Sequence, residues 1–323
     1  MLKRMIALLL SVVMLTGISH AAEKEQPAYE ALSGVLFNIR SEPESDRRIK
    51  RVPKSEKVLI YEYGPDWCRV GYDGITGWCK TEWLWYIRSL DAMNHPLLGV
   101  TPTAGYVTLD APTDITGGDF KGTTAPAGSL ICVMEEDVTG YPLPVWRDFG
   151  MIPAVSGKLT LFAPWQEAQP GDVLAGYTTF FNEDGRGIKG ENRIFNIGEG
   201  CKRIHGTVVP AGETFSFNDR CGPYTKKNGY LEARNIGNNG VGWGGGVCQV
   251  STTLYNAVVT LPLQIEEWAV HRKIGVEYVP QYFDASVGAY SDLVFTNLLP
   301  YPIVIDCHLS DGVVTVLISR NME

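Results

Sequence analysis

Cys248 lies in the run Gly244 to Asn256, GGGVCQVSTTLYN, with three consecutive glycines before it and Ser251, Thr252 and Thr253 just after it. Three glycines in succession suit neither a central strand nor a helix interior, but they accept positive φ angles and let a ligand or another backbone come close. Val247, Val250, Leu254, Val258 and Leu261 recur at helical spacing, which predicts a buried helix beginning near Cys248. A thiol at a helix N-terminus meets the positive end of the helix dipole, which favours the thiolate. Gly244, Gly245, Gly246 and Gln249 form the turn around it, and backbone N–H groups of residues 246–250 are candidate oxyanion donors. Turn, nucleophile and donors would then share one place. The competing reading is a small packed apolar residue, the commonest fate of an unpaired cysteine. No Gly-Lys-Ser/Thr and no Gly-x-Ser-x-Gly occurs, which removes a phosphate-binding loop and a serine-hydrolase elbow.

A cysteine nucleophile usually needs a histidine base. Beyond the N-terminal leader the chain offers His95, His205, His271 and His308. His271 is preferred: it follows the helix and precedes a strand expected at VEYVP, residues 276–280. His205 is its rival. Asp284 and Asp292 could orient the histidine or meet an amine, and Arg272 could hold a carboxylate through its planar fork. Cys201 and His205 have ligand-like spacing and Cys221 follows at a distance. No Cys-x-x-Cys or His-x-x-x-His pair completes a metal site, so no metal and no cofactor is expected.

The elements that must position these residues read as β-rich and multi-domain. The 35 glycines, 19 prolines and scarcity of long helical patterns favour short strands with many turns, and 323 residues suggest two or three domains. Lys3 and Arg4, the apolar run Met5 to Leu15 and Ser19-His20-Ala21 read as a signal peptide over residues 1–21, cleaved near Ala21. That predicts a secreted or cell-wall-associated protein, and no later run is long enough to be a transmembrane segment. The net charge of -8 is a poor match to nucleic acid, which needs clustered Lys and Arg. Seven cysteines leave an odd thiol. Cys68 and Cys79 flank a hairpin turn at Asp73-Gly74 and would face each other across a two-residue loop.

Residues 29–90 alternate as short strands: VLFNIR, KVLIYEY, WCRVGY and GWCK. With Gly34, Asn38-Ile39-Arg40-Ser41-Glu42-Pro43, Lys57-Val58-Leu59-Ile60, Trp67, Val70 and Gly77-Trp78, this stretch resembles the bacterial SH3 (SH3b) family. The resemblance implies a small β-barrel that docks peptidoglycan peptides or other wall components. Tyr61, Tyr63, Trp67, Trp78, Trp83 and Trp85 could line its wall-binding groove, with about half of them serving as core instead, since small barrels fill their interiors with large side chains. Residues 96–172 carry strand-like LICVMEE, YPLPVW and KLTLFAPW, read as a second SH3-like barrel or a β-rich linker domain.

Residues 175–320 run through TTFFN, PAGETFSFND, NGYLEA, GGGVCQVSTTLYN, VEYVP, FDASV and DLVFTN. This order resembles the VanW family of cell-envelope proteins. The resemblance implies an α+β domain with one central helix after Cys248. It also implies L,D-transpeptidase activity, in which a cysteine attacks a peptidoglycan stem peptide. His271 falls where VanW relatives commonly carry His, whereas Ile204-His205-Gly206 is similar to the His-Gly of YkuD-type L,D-transpeptidases. The expected function is cysteine acyl transfer on stem peptides, with Cys248 as nucleophile and His271 as base. The alternatives are a non-catalytic wall-binding or scaffold protein and an endopeptidase of the same bond.

Overall fold

The computed structural model describes residues 25–54, 56–90, 103–117, 120–135, 140–146, 148–181, 190–235, 240–271, 276–279 and 283–323. The signal-peptide segment, His95 and Arg272 lie outside the described residues, as does the Trp85 side chain. Strand dominates, and the described residues hold three α-helices: α1 (Gly190–Ile204), the short α2 (Phe217–Cys221) and α3 (Val247–Val258).

The N-terminal unit is one antiparallel seven-stranded sheet. Its strands Phe37–Arg40, Lys57–Glu62, Trp67–Tyr72 and Ile75–Lys80 follow the alternating segments of the sequence, and Val52, Val58, Ile60 and Val70 form its core. Tyr72 pairs with Ile75 around Asp73 and Gly74, both at positive φ, so a two-residue loop sets the register and Cys68 stands opposite Cys79. The two thiols are unbridged.

In the C-terminal unit, a four-stranded antiparallel sheet runs in the order Val173–Phe180, Val313–Arg320, Ile303–Ser310, Thr207–Val209. Val173–Phe180 and Val313–Arg320 are buried along almost their whole length, as strands covered on both faces must be. Tyr177, Val314, Val316 and Ile318 pack with α1 and α3. Phe180 and Val313 join the core of residues 107–152 on the other face. Thr178 and Thr315 bond across that second contact: Thr178 Oγ1 accepts from Cys132 N–H at 2.9 Å and Thr315 Oγ1 donates to Leu130 O at 2.5 Å. Residues 103–161 form one three-stranded sheet and two hairpins, seated on the C-terminal sheet.

α3 is buried all round except at Cys248, which is half-buried. It ends at Val258, so Leu261 of the periodic run lies beyond it. α1 adds a second long helix to the single one expected. Val276–Val279 forms a bend and no strand, with Tyr278 turned into the cleft beside Cys248.

Candidate active site

The glycine turn is built as a scaffold for the helix start. Gly244 and Gly246 take φ of 77° and 110°, while a Cβ on Gly245 would meet Arg234 O at 2.4 Å. Asn196 of α1, fully buried, donates to Gly245 O and Leu231 O and accepts from Leu231 N–H, fixing the turn from behind. In the first turn of α3, Val247 N–H and Gln249 N–H donate to the carbonyls of Gly244 and Gly246. Val247 N–H and Gln249 N–H are thereby occupied, which leaves Gly246 N–H and Cys248 N–H among the candidate oxyanion donors of residues 246–250.

The polar residues that follow Cys248 in sequence do a second job. Ser251 Oγ donates to Ala285 O at 2.7 Å, Thr252 Oγ1 accepts from Ala285 N–H at 2.9 Å, and Asn256 Nδ2 donates to Phe283 O at 2.8 Å. A Ser/Thr/Asn stripe on α3 therefore clasps the backbone of residues 283–285 in place of a strand partner. Trp268 stacks on Tyr255 of α3 and donates its indole N–H to Asp284 O, and Ser286 N–H donates to Ala269 O. The 268–271 and 283–286 segments are thus tied to each other and to the helix.

That arrangement carries His271 and Asp284 together beside Cys248. One oxygen of Asp284 accepts from the His271 backbone N–H at 2.7 Å and pairs with His271 Nδ1 at 2.6 Å. Asp284 is 1% exposed, and its other oxygen has no partner among the described residues. Burial works against the His271 charge, but hydrogen bonds and charge from Asp284 and Cys248 outweigh it and raise its pKa to about 10. Since Nδ1 serves Asp284, Nε2 is the nitrogen left for the sulfur. Cys248 Sγ also lies 3.4 Å from Val287 O. The group can hold a thiolate beside an imidazolium oriented by a carboxylate.

Cys248 and His271 open into a cleft of about 1030 Å³, walled by Tyr224, Trp243, Tyr278 and Arg193. Burial, then the charges of Cys248 and Asp284, pushes the Tyr278 phenol well up, so it stays a neutral donor. Arg193 was not singled out from sequence, and neither were Tyr224 and Tyr278. The Arg193 guanidinium donates to Gln249 Oε1 at 2.6 Å and lies over the Phe181 ring. Gln249 is itself buried, its amide donating to Thr179 Oγ1 and Phe180 O. Its side chain therefore positions Arg193 from within the core.

The other candidates lie elsewhere. His205 accepts from Cys307 N–H and lines a separate cavity with His308. Asp292 accepts from Ser216 Oγ, Asn218 N–H and Leu293 N–H, a turn-forming role away from His271. Cys201, Cys221 and Cys307 are buried near one another, and no described group of three His, Cys, Asp or Glu could hold a metal ion. In the N-terminal sheet, Trp83 stacks on Phe37 against the core. Trp67 and Trp78 are half-buried, and Arg40 and Lys80 lie over the Trp67 ring. Tyr61 lies under Arg69, while Tyr63 is exposed. The chain's own cations therefore cover Trp67 and Tyr61 of the expected groove.

Residues 192–319 match the family described as VanW like protein, and residues 33–84 match the family described as Bacterial SH3 domain. Uncharacterized protein YoaR of Bacillus subtilis (strain 168) is 41% identical over 135 residues, which are 41% of this chain and 43% of that protein. The chain thus spans less than half the length of this curated relative. No solved structure matches the chain. Among the described residues no helix is long and apolar enough to cross a membrane. The chain carries a bacterial SH3 domain at its N-terminus and, around the Cys248 cleft, a VanW-like domain at its C-terminus.

Proposed function

We propose that this cell-wall-associated protein is exported and that its VanW-like domain is a cysteine acyltransferase of the L,D-transpeptidase type, acting on peptidoglycan stem peptides. One observation carries the reading: a thiol at a helix N-terminus faces a histidine held charged by a buried carboxylate, at the wall of an open cleft. The Cys248 thiolate attacks the donor carbonyl, forming an S–C bond, and the oxyanion meets the Cys248 N–H. The C–N bond breaks as imidazolium gives its proton to the departing amine. An acceptor amine then attacks the thioester, returns a proton to His271 and releases the thiolate. The bacterial SH3 domain would keep this chemistry at the wall by raising the local substrate concentration.

A non-catalytic wall-binding role is the second reading, favoured by the Cys248 thiol's contact with Val287 O, which a resting neutral thiol would make. Incubation with disaccharide-tetrapeptides, followed by mass spectrometry, separates the two. Wild type should yield crosslinked dimers that Cys248→Ala does not. Trimmed products alone would mean hydrolysis of the same bond, and identical profiles for both proteins would remove the enzyme reading.

A further inference from the structure

Arg193 is a half-buried cation at the wall of the cleft that holds Cys248 and His271, and no described acidic residue pairs with it. Burial lowers its pKa, so its positive charge is costly where it stands. Only one of its five N–H donors has a partner among the described residues, Gln249 Oε1. The rest of the side chain is held rigidly. Its guanidinium lies over Phe181, Gln249 is anchored through its Nε2 to Thr179 Oγ1 and Phe180 O, and a Cβ on Gly246 would meet Arg193 Cγ at 2.8 Å. A half-buried, pre-oriented cation with no anionic partner among the described residues costs stability unless an anion arrives to meet it.

We infer that Arg193 is the anion receptor of this cleft, and that it holds a carboxylate of the acyl donor beside the carbonyl that Cys248 attacks. The planar fork with free N–H groups matches a carboxylate in a bidentate manner. Gln249 and Phe181 supply the rigidity such a clamp needs, so little ordering is required when the ligand enters. The acyl donor is then a peptide with a free carboxylate next to its scissile bond, and amidation of that carboxylate removes the contact. The assignment rests on the acyl-transfer reading only for which carboxylate is held.

Alkylation of Cys248 tests it without any turnover. In wild type, iodoacetate, which carries a carboxylate, should react faster relative to neutral iodoacetamide than it does with free cysteine, by about tenfold. Arg193→Gln should lose that preference while keeping most of its iodoacetamide rate. Equal slowing with both reagents would mean that Arg193 serves only the thiolate, and the receptor assignment would fall. A wild-type measurement guards against misfolding of the variant. N-acetyl-alanine should protect Cys248 from iodoacetamide at about tenfold lower concentration than N-acetyl-alaninamide, and equal protection, or none, would overturn the proposal. Because neither readout needs a crosslinked product, failure of the acyltransferase reading and failure of this one are told apart.

Discussion

At the scale of single residues, the site turns on how Asp284 is housed. A carboxylate that is 1% exposed, with one oxygen unpartnered, must be balanced nearby, and the imidazolium of His271 is the group placed to do it. The charge on His271 therefore belongs to the pair. Asp284→Asn removes the carboxylate's attraction and leaves burial opposed by Cys248 alone, which lowers the His271 pKa from its wild-type value. In wild type, the His271 ring followed by NMR should titrate at about 10. In the variant that titration should come at lower pH, and an unchanged His271 titration would mean that Asp284 does not hold the proton. Stability follows the same proton. A histidine pKa raised in the folded state stabilises the fold fully below its ordinary value of 6.5, and that stabilisation is lost as pH rises through about 10. Thermal melts over that window should show wild type losing more Tm than Asp284→Asn. Parallel losses would mean that the carboxylate does not hold the proton.

At the scale of elements, two helices meet at the glycine turn, and only one of them announces itself in the sequence. α3 is legible because its apolar residues keep strict helical spacing behind an unmistakable breaker. α1 carries an equally good apolar face in Ile197, Cys201 and Ile204, but Gly198 and Gly200 lower its intrinsic propensity and hide it, and Arg193 is hidden with it. Cys248, His271 and Asp284 could be named because each sits in a short distinctive segment. Their meeting could not be derived, since it depends on a Ser/Thr/Asn stripe gripping a backbone some thirty residues away. The glycines have different physical duties. Gly200 lets α1 approach α3, where its Cβ would lie 3.2 Å from Val250 Cγ2, whereas Gly198 faces only the end of the exposed Leu309 side chain. Gly198→Ala should stabilise the protein by about 1 kcal/mol through helix propensity. Gly246→Ala should destabilise it by about 1–3 kcal/mol, because alanine would be strained at a φ of 110° and would press on Arg193. Urea unfolding of both variants checks the pair, and a stabilising Gly246→Ala would contradict the account of the turn.

At the scale of the whole molecule, the middle segment decides how the C-terminal sheet is built. Its strands Val173–Phe180 and Val313–Arg320 are buried along almost their whole length, and such strands need cover on both faces. The helices supply one face and residues 103–161 the other, through Phe180, Val313 and the Thr178 and Thr315 hydroxyls. Sequence periodicity marks such strands as buried but does not say which neighbour buries them, so this partnership emerges only in three dimensions. The consequence is cooperative. A fragment of residues 103–323 should unfold in one transition, with far-ultraviolet circular dichroism and tryptophan fluorescence coincident. A fragment of residues 173–323 should lose roughly 1.5–3 kcal/mol for each large side chain it uncovers, Phe180 and Val313 first. It should therefore melt at lower urea or fail to fold, and its Cys248 should lose selectivity towards alkylating reagents, because the sheet that backs α3 would no longer be held flat against it. If the shorter fragment matches the longer one in urea midpoint and in Cys248 reactivity, the middle segment is a separate domain and the cleft owes it nothing.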